Sequence, residues 1–311
     1  MRPSGSRSRK RRFHDPFCAG GRETGKDRVI SMTKKLPRAA AVHDVSGFGK
    51  CALTIALPVL SACGVEVCPL TTAVLSTNTE FSDFRMRDLT DTMQGFSEHW
   101  EAVGLKLDAV YSGFLGSAEQ IDVIASLVRR FRPALTLIDP VCADNGRVYK
   151  TYTPEMCAKL RELVRVADVV TPNLTEACVL TETPYDPAAT SPAEIRALAE
   201  KFRAMGAKTA LITGIEREET LYNCILDDAG YSERAVPLLP FRMHGTGDLF
   251  ASVLTGGLMT GHTMAESVDS AARFVAFAME RSREYDDYAR RGVCFEPYLY
   301  LLAGGICAKT E

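Results

Sequence analysis

The chain has 311 residues, of which 46% are hydrophobic and 24% charged, with a formal net charge of −2. That length and balance suit one large α/β domain or two smaller ones, and they give no whole-chain reason to expect nucleic acid or a membrane as partner. No uninterrupted apolar run approaches the roughly 20 residues that a bilayer-spanning helix needs.

The charge is unevenly spread. Residues 1–38 hold 12 Lys/Arg against 3 Asp/Glu, a balance of +9, which leaves −11 for the rest. This head, "MRPSGSRSRKRRF" onward, has no apolar periodicity and no signal-peptide core. Residues 1–37 read as a basic, disordered extension, and "MTKK" at Met32 offers an alternative natural start. A nucleic-acid-binding arm is the competing reading of the same charges.

From residue 38 short β-rich runs alternate with longer helical ones. "RAAAVHD" (38–44) predicts a strand, followed by a Gly-rich turn and a helix over 50–64 that Gly64 closes. The next strand covers 65–75. Strands are predicted at 108–113 and 135–139, with a helix over about 117–131 between them. Strands at 167–173 and 208–214 follow, each preceded by a helical stretch. Between 220 and 241 two extended runs flank "DDAG", which predicts a hairpin, and helices over about 247–260 and 263–283 close the pattern. The rotation of strand, helix and strand implies a mainly parallel sheet covered on both faces, with an antiparallel margin. It forms one domain over 38–285, and residues 286–311 form a tail packed on that domain or at a subunit interface.

The ten cysteines are scattered through helical and strand patterns. They include no CxxC pair and no Cys/His set with zinc spacing, so a reduced, cytoplasmic protein is the expectation. Two glycine motifs are decoys. "GFGKC" lacks the first Gly and the Ser/Thr of a phosphate-binding P-loop, those places being taken by Asp44 and Cys51. Gly47-Phe-Gly49-Lys-Cys-Ala52 matches a dinucleotide fingerprint, but no acidic residue closes the next strand.

Polar and glycine clusters fall where the strands end: "HDVSGFGK", "YSGFLGS", "DPVCADNG", "TPNLTE" and "TGIE". Ligands of open α/β sheets bind beyond those ends. The most telling stretch is "HGTGDLFASVLTGG" (244–257). A glycine turn opening a helix favours an anion, yet Asp248 sets a carboxylate at its lip.

"HGTGDLF", taken with "SGFLGSAEQ" (112–120), "DPVCADNGRVY" (139–149) and "TPNLTEA" (171–177) in that order, resembles the ribokinase-like kinases. Within them it resembles the pyridoxal/pyridoxamine branch, over residues 39–285. The resemblance implies a three-layer α/β/α fold, and ATP-dependent phosphorylation of the 5′-hydroxymethyl group of a B6 vitamer, with Mg²⁺ and a K⁺ or Na⁺ ion as cofactors. It also implies a homodimer. Asp248 would be the catalytic base, ionised and weak, beside an anion hole of Gly245, Thr246 and Gly247. Asn173, Thr213, Gly214, Met243, Gly245 and Gly247 would meet ATP. Asp139, Asp144, Glu176 and Thr171 would serve the metal ions, and Thr213 shares the monovalent site. Asp44, Ser46, Thr77, Asn78, Thr79 and Phe114 would line the substrate pocket with Asp248. Asn78 stands where the family usually has His, and Phe114 where Tyr is common. Hydroxymethylpyrimidine kinases share the "HDVSGFGK" pattern and supply the alternative substrate. His43 and His244 read as polar residues behind the site, while Trp100 and the aromatic tail read as core or interface.

Overall fold

The computed structural model describes residues 35–307; residues 1–34 of the basic head, Met32 among them, lie outside that range. The chain runs through β1 (Arg38–Ser46), α1 (Leu53–Ala62), β2 (Glu66–Leu75), a short β3 (Met86–Asp88), α2 (Thr90–Ala102), β4 (Ala109–Ser112), α3 (Ala118–Phe131) and β5 (Leu135–Ile138). A small hairpin of β6 (Ala143–Asp144) and β7 (Arg147–Val148) follows. After it come α4 (Pro154–Val164), β8 (Val169–Val170), α5 (Leu174–Leu180) and α6 (Pro192–Met205). The chain ends with β9 (Thr209–Arg217), β10 (Thr220–Asp227), β11 (Gly230–Pro237), α7 (Thr246–Met259), α8 (Met264–Ser282), α9 (Tyr288–Arg291) and a 3₁₀ turn over Glu296–Leu302.

Nine strands form one sheet in the order β11-β10-β9-β8-β5-β4-β1-β2-β3. The six from β9 to β2 run parallel. The "DDAG" hairpin forms the expected antiparallel margin through β10 and β11. A second antiparallel margin, β3 against β2, was not expected from the sequence.

Alternation along β1 explains the layers, because successive side chains leave a strand on opposite faces. Ala40 and Val42 enter one core with Ile124, Leu160 and Phe202 from α3, α4 and α6. Ala39 and Ala41 enter the other with Val59, Leu254 and Phe274 from α1, α7 and α8. The result is the three-layer α/β/α architecture that the resemblance implies. The described residues from Leu36 to Cys307 form one compact unit, and the tail joins its second core through Val293, Phe295 and Leu302.

Strand order reverses between β1 and β4, which both pair in parallel but lead to opposite halves of the sheet. A crevice opens beyond the carboxyl ends at such a point. Asp44, Ser46 and Gly113 stand there.

Candidate active site

β1 ends in Asp44-Val45-Ser46, and residues 47–52 fold back across the crevice. Two contacts fix this loop at its base: the Gly47 N–H donates to Leu75 O at 2.8 Å and the Asn78 N–H to Phe48 O at 2.8 Å. The loop ends at Ala52, with φ 49° and ψ −127°, a conformation that a residue with a Cβ adopts only under constraint. The strained turn aims the Ala52 N–H at the Asp248 carboxylate, Oδ2 at 2.8 Å. The glycine pattern that mimicked a dinucleotide motif therefore delivers a backbone donor to this acid.

Asp248 lies in the first turn of α7, whose N-cap Gly245 is left-handed at φ 81°. A Cβ on Gly245 would lie 2.6 Å from Lys50 O and 2.7 Å from Ile55 Cδ1, whereas one on Gly247 would meet nothing within 4 Å. The two glycines thus differ: Gly245 is required by packing, and Gly247 borders open space. The first N–H groups of a helix lack intrahelical acceptors, which leaves those of Thr246 and Gly247 available to an anion, with help from the helix dipole. The Thr246 hydroxyl donates back to Met243 O at 3.3 Å.

Acids gather around this turn. Burial, and secondarily the charge of Asp248, pushes both Asp44 and Asp139 up to about 7. Glu176 is also raised, by burial and then by Asp139. Asp248 itself is raised by burial, against the opposing pull of the Ala52 N–H and His244. Desolvation thus outweighs the hydrogen bond that holds this carboxylate.

The expected metal residues divide. Asp139, at the end of β5, accepts from Thr171 Oγ1 at 3.1 Å, and Asp144 is exposed on the β6–β7 hairpin. Glu176 is committed elsewhere: its two carboxylate oxygens accept the N–H groups of Cys142 (3.2 Å) and Asn173 (2.9 Å). With Asn173 it forms the capping box of α5. Among the described residues no cluster of three or more His, Cys, Asp or Glu side chains could by itself hold a metal ion. Asp139 and Asp144 are carboxylates, the donor type of Mg²⁺, which takes one or two of them and completes its shell with water and phosphate oxygens.

On the expected nucleotide side, Thr213 and Gly214 occupy a bulge where β10 slips in register against β9. Gly214 has φ 69°, and its N–H donates to Asn223 Oδ1 at 3.3 Å. Thr213 bonds Pro172 O through its N–H at 2.9 Å and bridges to Asn173, which brings the two predicted segments together. Met243 is different. It is buried in the second core, so its side chain is packing and only its backbone borders the turn.

On the substrate side, Ser46 is buried and its hydroxyl contacts Cys51 Sγ at 3.2 Å. Thr77 holds a buried hydroxyl without a hydrogen-bond partner, Thr79 is exposed, and Phe114 stands edge-on to Tyr152 at 6.0 Å. Asn78 Nδ2 donates to Arg290 O at 3.3 Å and its Oδ1 accepts from the Glu80 N–H at 3.2 Å. Both ends of the amide are engaged with the backbone, so Asn78 also ties its own segment to Arg290.

Two contributors, Ala52 and Tyr111, carried no readable signal. Ala52 acts through its backbone. Tyr111, fully buried, reaches Asp248 O at 3.5 Å. His43, also fully buried, stands edge-on to Tyr111 at 4.4 Å, and burial pushes its pKa down to about 3. The His is therefore neutral packing behind the site. His244 lies 3.5 Å from Glu80 across the mouth.

The phosphomethylpyrimidine kinase family matches residues 56–291. A pyridoxal kinase, PdxY, of Leifsonia xyli is 31% identical over 231 residues, covering 69% of this chain and 78% of that protein. A Bacteroides thetaiotaomicron protein described as a phosphomethylpyrimidine kinase, crystallised in an orthorhombic form with pyridoxal, is 35% identical. It superposes with a TM-score of 0.83 over 89% of this chain and 98% of that one. The pyridoxal kinase of Lactobacillus plantarum is 29% identical with a TM-score of 0.81, over 86% and 97% of the two chains.

Proposed function

The chain belongs to the phosphomethylpyrimidine kinase family, and from that premise we propose that it transfers the γ-phosphoryl group of ATP to the 5′-hydroxymethyl group of a B6 vitamer. The observation that carries the reading is the Asp248 carboxylate, oriented by Ala52, beside the open space over Gly247. A substrate alcohol there reaches both the base and the anion-holding N–H groups. As the alcohol oxygen bonds to phosphorus, its proton passes to Asp248 and the bond to ADP breaks. Catalysis of this kind needs in-line placement and charge stabilisation more than covalent chemistry, and an acid raised above its ordinary range suits the proton transfer.

Asp44 faces the same space and orients the substrate through its carboxyl, as acceptor when ionised and as donor when protonated. Relatives named as pyridoxal kinases, and a pyridoxal-bound relative of 35% identity, favour B6 vitamers over hydroxymethylpyrimidine. Asp139, with Asp144 on the hairpin, would hold Mg²⁺, which when bound neutralises phosphate charge. A monovalent ion near Thr171 and Thr213 and a homodimeric assembly are further parts of the proposal. So is a reducing, cytoplasmic setting, supported by nine described cysteines that are all free thiols. No described helix is long and apolar enough to cross a membrane.

A coupled ADP-release assay over pyridoxal, pyridoxine, pyridoxamine and hydroxymethylpyrimidine tests the reading. The expected result is a kcat/KM highest for a B6 vitamer. Turnover of hydroxymethylpyrimidine alone would transfer the protein to the other substrate class.

A further inference from the structure

The tail reads as inert packing in the sequence, but residues 290–293 touch both halves of the site. Arg290 O accepts from Asn78 Nδ2 at 3.3 Å. Arg291 O accepts the Lys50 N–H at 2.8 Å, and the Val293 N–H donates to His244 O at 3.1 Å. Between them Gly292 adopts φ 90° and ψ −177°, a region that only glycine occupies comfortably. A Cβ there would lie 3.0 Å from both Lys50 O and His244 O. The segment is itself anchored. Val293 and Phe295 are buried, and the Cys294 N–H donates to the buried Ser282 hydroxyl of α8 at 2.7 Å.

We propose that residues 290–293 are a positioning strap for phosphoryl transfer. One side of the strap holds the substrate-side loop 47–52 through Lys50, and Asn78 beside it. The other holds the catalytic turn 244–248 through the His244 carbonyl. Both are tied to one rigid point on α8, which fixes the distance from Asp44 and Ala52 to Asp248 and the Gly247 N–H. The family match ends at residue 291, so the central glycine and the Val293 tie fall outside it. The inference rests on the kinase reading of the site, and its test contains a measurement independent of that reading.

Gly292→Ala is the perturbation. A Cβ against two carbonyls, in a backbone region closed to alanine, forces the strap to re-route and lets the two loops separate. Misplacement of reacting groups by about 1 Å costs up to ~10²-fold in rate, so kcat for pyridoxal should fall roughly 10- to 100-fold with KM for ATP within about threefold. Amide hydrogen exchange should accelerate together in 47–52 and 244–248 and stay unchanged in the central strands. Turnover within twofold of wild type, or faster exchange confined to 288–296, would overturn the proposal. Should Gly292→Ala fail to accumulate as folded protein, Asn78→Ala cuts the Arg290 tie without a backbone constraint. It should give a fall of about 3- to 10-fold with the same paired exchange signature, and a purely local signature would again overturn the strap. A wild-type protein inactive on every B6 vitamer would sink the substrate assignment alone, since the exchange pattern still decides the strap.

Discussion

Replacing Asp248 by asparagine separates a catalytic base from a helix cap. The amide keeps the size of the side chain, and its oxygen can still accept the Ala52 N–H that now meets Oδ2 at 2.8 Å, so the strained turn at Ala52 keeps its partner. What disappears is the proton acceptor and one negative charge. A positioned acid/base contributes about 10²–10⁴ in rate, which corresponds to ~2.7–5.4 kcal/mol of barrier, and kcat should fall by that factor. The charge has a second consequence. Asp44 and Asp139 are raised partly by Asp248, and Asp248 is itself raised by burial, so the wild-type site carries like-charge repulsion and desolvation that the amide relieves. Folding stability in the absence of Mg²⁺ should hold or rise, by up to roughly 2 kcal/mol. Steady-state ADP release with pyridoxal, nucleotide titration calorimetry and urea unfolding measure the three quantities, and ATP affinity should survive. A capping role requires the opposite pattern, intact turnover with stability little changed, because asparagine caps a helix about as well as aspartate. Turnover within fivefold of wild type would remove Asp248 from the chemistry.

The two glycines of the turn should respond differently. Gly247→Val, entering open space, should leave the unfolding midpoint near wild type while kcat falls at least ~10²-fold, the scale of a lost oxyanion-hole donor; normal turnover would make the turn a cap only. Gly245→Ala, with a left-handed φ and Lys50 O at 2.6 Å, should instead lower stability by roughly 1–3 kcal/mol, and an unchanged melt would refute that packing. Asp44 sets a pH dependence. Its pKa of about 7 lies above the ~3.9 of an unfolded aspartate, so its contribution is fully present below about pH 4 and lost as pH rises through 7. Asp44→Asn should therefore gain stability relative to wild type between pH 4.5 and 8 in Mg²⁺-free urea melts, the opposing slope of His43 cancelling in the difference. Parallel curves would place Asp44 in water. Gly214→Ala, at φ 69°, should raise KM for ATP several-fold and cost about 1 kcal/mol of stability; an effect on pyridoxal KM alone would move the bulge to the substrate side.

Local chemistry made much of this protein legible. The strand at 38–44, the "DDAG" hairpin and the helix opened by "GTGD" rest on periodicity and turn residues, which act within a few positions of one another. The identity and order of the strand-end clusters likewise set Asp44, Asp139, Asn173 and Thr213 on one edge of a parallel sheet. Elements with weak local signals escaped. α2 buries only Met93 and Ser97, β6 and β7 have two residues each, and β3 pairs only along the edge that β2 offers it. Tertiary structure alone decided how the site is assembled. Nothing in the sequence around Ala52 tells that its N–H, 196 residues distant, meets Asp248. Nor does the local sequence show that Asn78 serves a carbonyl at Arg290 or that Gly292 is wedged between Lys50 and His244. Those contacts are made by backbone groups, which every residue carries alike, so their partners are chosen by where the fold brings the chain and not by which side chains it bears. The raised pKa values have the same origin: carboxylates far apart in sequence share one desolvated crevice.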